Sequence, residues 1–129
     1  MRSGGDIKLL MTSEVVPATL NLTARQNADF RRRLTLTDEL GEPLDLRGFV
    51  IDADITDTSD QSIIATFNHQ FVDAENGIFD IYLLKTVSVN MAAGVYGWDL
   101  SLTSGIGERQ YYLTGSLTII RTRSREGQP

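Results

Sequence analysis

The sequence predicts an all-β domain: an antiparallel β-sandwich of immunoglobulin-like proportions with about seven strands. Three observations carry that prediction. Apolar residues recur at every second position in one segment after another, clusters of Gly, Pro, Asn and Asp separate those segments at short intervals, and no stretch has the 3.6-residue period of an amphipathic helix. A closed barrel is the structural alternative.

The 129 residues, 41% of them hydrophobic, suit one domain that buries roughly two thirds of its unfolded surface without staples. No cysteine is present, which removes disulfides, thiolate catalysis and sulfur-bound zinc and fits synthesis in a reducing compartment. Acidic residues number 17 against 12 basic, a net charge of −5, and a nucleic-acid groove needs the opposite sign. No apolar run approaches the ~20 residues of a membrane-spanning helix. A soluble chain engaging neither nucleic acid nor membrane is expected.

Residues 1–16 begin with a glycine pair and have no clean period, so they read as an N-terminal arm. A flexible or loosely docked arm is expected; Ile7, Leu9, Leu10 and Met11 make it too apolar for a bare tag, and if it is ordered, a neighbouring subunit is what orders it. Residues 17–123 read as the sandwich itself. Pro17 precedes a short strand, Ala18 to Thr23. The next strand, Ala28 to Thr37, places Phe30, Leu34 and Leu36 on one face with Arg32, whose charge is expected to snorkel to water. Arg31 and Arg33 fall on the other face, as solvated charges or as one half of an inter-subunit ion pair.

Asp38 to Gly48 combines Gly41, Pro43 and Gly48 with acids, a turn followed by a crossing connection. Phe49, Ile51, Ala53 and Ile55 then alternate with Val50, Asp52, Asp54 and Thr56. A polar loop from Asp57 to Gln61 leads to a strand marked by Ile63, Ala65, Phe67 and Phe71, with His69 on the same, core-facing side. Asn76-Gly77 predicts a hairpin into Ile78 to Leu84 and hence antiparallel neighbours. Thr86 to Met91 reads as a short helical turn or an irregular crossover.

The clearest strands are the arms of a long hairpin, Gly94 to Thr103 and Tyr111 to Ile120, reversed through Ser104 to Glu108. Trp98, the chain's one tryptophan, is expected inside, with Tyr96 and Tyr111; Tyr112 and Tyr82 are expected outside. Residues 124–129 read as a flexible tail.

The chemistry-bearing residues form no catalytic pattern. His69 is the one imidazole and has no partner at a nucleophile's or metal ligand's spacing. Asp52 and Asp54 share a strand face, with Asp57 and Asp60 in the loop beyond, so calcium is a chemical possibility, although the spacing matches no EF-hand. The glycines spread through a hairpin rather than joining a strand to a helix, which removes the phosphate-loop reading. Neither a cofactor nor a catalytic residue is expected.

The order of motifs nevertheless has a resemblance. A strand carrying basic residues (Phe30 to Leu36), the turn Leu40-Gly41-Glu42-Pro43-Leu44-Asp45-Leu46-Arg47-Gly48, the strand Phe49 to Thr56, then Asn76-Gly77-Ile78-Phe79, Ala93-Gly94-Val95-Tyr96-Gly97-Trp98-Asp99-Leu100 and Leu113-Thr114-Gly115-Ser116-Leu117-Thr118-Ile119 follow one another over residues 17 to 123. This order resembles the N-terminal domain of tailed-phage baseplate upper proteins and related tail-fibre attachment domains. The resemblance implies a β-sandwich without catalytic residues, made in the host cytoplasm and built into the virion. It also implies homo-oligomers, trimers favoured, that attach to other virion proteins. The surfaces expected to serve are the arm (Ile7, Leu9, Leu10, Met11) and the charged faces holding Arg31, Arg33, Asp52 and Asp54. The alternative reading is a carbohydrate-binding or calcium-dependent adhesion module.

Overall fold

The computed structural model describes residues 17–121. The expectations for the arm, with Ile7, Leu9, Leu10 and Met11, and for the tail of residues 124–129 concern positions outside that range.

Eight strands, one α-helical turn and one 3-10 turn (Ala74–Asn76) make up the described chain: β1 (Ala18–Thr19), β2 (Leu22–Arg25), β3 (Phe30–Thr35), β4 (Val50–Thr56), β5 (Ile63–Asp73), β6 (Ile78–Leu83), α1 (Lys85–Ser88), β7 (Gly94–Thr103) and β8 (Arg109–Ile120). They pair in one continuous path, β1-β8-β7-β4-β5-β6-β3, with β2 also on β8. The path curls on itself as a half-barrel around the core.

The all-β expectation holds; the antiparallel immunoglobulin-like sandwich needs two corrections. First, the sheet is mixed, because β1 and β2 run parallel to β8. Second, β5 belongs to both halves. Its first part pairs with β4 up to Phe67, and from Asn68 onward it pairs with β6. One long strand therefore joins what the sequence pattern suggested were two separate layers. The predicted first strand also divides in two at Leu20-Asn21.

That division has a local cause. The Trp98 indole Nε1 donates to the Leu20 carbonyl at 2.7 Å, the Leu20 amide donates to the Thr114 carbonyl at 2.8 Å, and Asn21 Oδ1 accepts the Ser116 amide at 3.0 Å. Gly115, the register partner of Trp98, lacks the Cβ that would collide with the Leu20 carbonyl. A buried indole N–H needs an acceptor, and here a strand bends to supply one.

The hairpin β7–β8 is as the sequence predicts, antiparallel from Gly94↔Ile119 to Thr103↔Arg109. Its inner face carries Trp98, Leu100, Leu102, Leu113, Leu117 and Ile119, all buried. Phe67 packs edge-on against Trp98, with ring centroids 5.6 Å apart, and Phe30 lies 5.9 Å from Phe67, which ties the two halves of the curl together. Each large side chain fully withdrawn from water contributes about 1.5–3 kcal/mol, so this aromatic chain is a main stabilising contact between the halves. β5 and β6 form the expected antiparallel pair; Gly77, at φ +75°, ends the 3-10 turn between them. The connection from β3 to β4 crosses the fold, buries Leu46 completely and hydrogen-bonds its amide to the Ala74 carbonyl at 2.8 Å. Lys85–Ser88 takes the helical-turn form of the two readings offered above.

Candidate interaction surface

The convex face of the sheet carries two charged groups, one on each half. On β3 and β6, antiparallel register sets Arg33 opposite Asp80 and Arg31 opposite Tyr82. Asp80 is 5% exposed, and both arginines close over it: Arg33 Nε donates to Oδ1 at 2.9 Å and Arg31 Nη1 to Oδ2 at 3.0 Å. The Arg31 guanidinium also lies over the Tyr82 ring, 4.6 Å from its centroid. Chiefly through the Arg33 hydrogen bond, and against burial, Asp80 is held below the ordinary carboxylate range, with Arg31 adding to the effect. The two arginines remain half exposed or more, so the group presents guanidinium edges with one excess positive charge.

Arg32 points to the concave side, yet on the edge strand β3 it is exposed, as snorkelling requires. A charge aimed inward from an edge strand also discourages another strand from adding there.

On β4 and β7 the sign reverses. Asp54 stands directly opposite Asp99, and Asp52 opposite Ser101. Arg109 binds Asp52 at 3.2 Å. Burial raises the Asp54 carboxyl, Asp52 and Asp99 raise it further, and Arg109 opposes them. Like charges facing each other across a ladder cost stability, so this face is short of positive charge.

The structure thus brings Arg31 to Arg33 and Asp52 to Asp54, as alternation predicts. Sequence reasoning missed Asp80, Asp99 and Arg109. Asp80 had a signal, a lone acid in Ile78-Phe79-Asp80-Ile81, but its partners lie on a strand whose register no local pattern reveals. Asp57 and Asp60 are not drawn to Asp52 and Asp54. They close the loop instead, accepting from the Ser59 and Ser62 amides at 2.7 and 2.9 Å. Among the described residues no group of three or more His, Cys, Asp or Glu side chains is placed to hold a metal ion.

Two further expectations are corrected. His69 stands opposite the buried Ile81 on the core-facing side, as alternation predicts, yet it is exposed rather than packed in the core; its ring meets Phe71 edge-on at 5.6 Å. Tyr111 and Tyr112 exchange roles. The register passes from Leu100↔Leu113 to Ser101↔Tyr111, leaving Tyr112 as the extra residue of a bulge. Beyond it Tyr111 turns outward, 47% exposed, while Tyr112 packs partly against the core.

No protein-family model and no curated protein matches the sequence. The fold, by contrast, matches 112 chains of solved structure. Among them is the N-terminal domain of ORF48 of phage TP901-1, with a TM-score of 0.55 and 13% sequence identity, over 79% of this chain and 94% of that one. At that identity the likeness is one of fold.

Proposed function

We propose that the chain is a structural protein of a phage virion, a tail, baseplate or fibre adaptor that works by protein–protein attachment within a symmetric assembly. The observation that carries this reading is the fold shared with the phage ORF48 N-terminal domain over 94% of that domain. The order of turn and strand motifs, which resembles the attachment domains of baseplate upper proteins, supports it independently.

In this reading the partners are further copies of the chain, with a trimer favoured, and other virion proteins. The two convex faces supply charge of opposite sign, Arg31 and Arg33 on one and Asp52, Asp54 and Asp99 on the other. Such complementarity fixes register and speeds encounter more than it adds affinity, and symmetry multiplies weak contacts into a stable attachment. The arm of residues 1–16 is assigned to a neighbouring copy, so its deletion should lower the oligomer mass in light scattering and leave the fold intact.

The deciding experiment uses particles. Phage are induced from the strain that carries the coding sequence, purified by density gradient, and analysed by peptide mass spectrometry and immunogold labelling. The chain should copurify with virions and label the tail; its absence from purified, infectious particles refutes the proposal.

A further inference from the structure

From Gln61 to Val72 the sequence contains no Asp, Glu, Lys or Arg, and most of that run is β5. Within β5 only Phe67 is buried, and every residue from Asn68 to Asp73 is exposed, on both faces of the strand. Over this half β5 pairs with β6 on one side, whereas β4 accompanies it no further than Phe67. A neutral stretch with Phe71 41% and Val72 46% exposed therefore has one backbone edge outside any described ladder. Edges of this kind are normally blunted by lysine, proline or a bulge. Here neither lysine nor proline is present, and the stretch from Phe67 to Phe71 is regular between two bulged residues, Ile64 on the β4 side and Val72 on the β6 side.

We infer that this edge pairs with the same edge of a second copy of the chain, antiparallel about a two-fold axis at Gln70. His69 then faces the second copy's Phe71, and the two Gln70 side chains meet on the axis.

The identity of the occupant follows from comparing the chain's open edges. On β3, the same antiparallel arrangement about Arg32 sets arginine against arginine, which is repulsive. β1 and β2 offer ladders of two and four residues, interrupted where the Leu20 carbonyl is taken by Trp98. The stretch Val50–Asp52 of β4 is short and ends on a carboxylate bound to Arg109. Of these edges, that of β5 sets neutral side chains against neutral side chains when opposed to itself. A two-fold contact uses one such edge twice and needs no complementary surface elsewhere.

This contact names a surface from which the symmetric assembly proposed above can start, and it rests on that reading for its setting. The contact is measured on purified chain and the virion role in particles, so either can fail alone.

Sedimentation equilibrium of the full chain from about 10 µM to 1 mM, the range appropriate to one strand pair of small area, should show the mass rising with concentration toward twice that of the dilute species, whether that species is one chain or an oligomer held by the arm. Phe71→Lys, at an exposed position, should weaken association about tenfold or more with an unchanged circular dichroism spectrum. His69→Glu combined with Phe71→Lys should restore it, because the register sets each new carboxylate against the other copy's new ammonium. A mass that does not change over that range overturns the inference. So does association that ignores Phe71→Lys, or a double variant that fails to recover.

Discussion

Replacing Gly115 by alanine should destabilise the fold through one backbone contact. The added Cβ would overlap the Leu20 carbonyl oxygen and lie 2.8 Å from its carbon and 3.0 Å from Asn21 Oδ1. Two of those atoms are main chain, so the strand must move away. Overpacking of this sort costs about 1–3 kcal/mol. Moving Leu20 also stretches the 2.7 Å bond from Trp98 Nε1, and a buried donor left unsatisfied costs about 1–3 kcal/mol more. With partial relaxation the total is about 2–4 kcal/mol. At a urea dependence of about 1.5 kcal/mol/M, that lowers the unfolding midpoint by about 1.3–2.7 M. Trp98 fluorescence and far-ultraviolet circular dichroism should report the same shift. Gly105→Ala is the control: its Cβ meets nothing within 4 Å, so its effect should stay within about 0.5 kcal/mol. If the two variants unfold together, the close approach of Leu20 to β8 is not what holds β1 and β2 in place.

Asp80→Asn should flatten the acid limb of the stability curve. The native Asp80 carboxyl lies below its ordinary value of about 4, so its contribution is complete above that pH and is lost as pH falls toward the depressed native value; thermal melts from pH 6 to pH 2 that keep the wild-type slope would count against the Arg31–Asp80–Arg33 group. Asp54→Asn should act in the opposite sense. The native Asp54 carboxyl is raised, so the wild-type residue costs stability once pH exceeds that value, and the variant should melt higher than wild type at pH 7 but not below pH 4; equal melting at both would remove the repulsion inferred around Asp54. Nitration near pH 8 should modify Tyr111 ahead of Tyr112, which is partly buried and raised in pKa by that burial. The reverse order in a peptide map would contradict the bulge at Tyr112.

Much of the inner face was legible in the sequence. Alternation assigned Ile51, Ala53, Ile55, Trp98, Leu100 and Leu102 to the core because a strand's side chains point by turns to its two faces, and Asn76-Gly77 marked a hairpin by local turn chemistry. Properties set by distant pairing were not legible. The parallel placement of β2 beside β8 depends on how Trp98 finds an acceptor 78 residues away, and no local period encodes it. One extra residue at Tyr112 reverses every side-chain assignment between it and the loop. For the candidate surface, the pairing of Arg31 with Arg33 followed from strand geometry, whereas their shared carboxylate on Asp80 required the β3–β6 register.

The parallel contact of β1 and β2 with β8 has a mechanical consequence. The main chain arrives at Ala18, level with Leu113, and departs past Ile120, level with Arg25, points about 23 Å apart along the strand direction. Tension applied between those two points slides β1 and β2 along β8 rather than peeling them away, so the hydrogen bonds of both ladders share the load at once. A component strained between neighbours would yield late and abruptly.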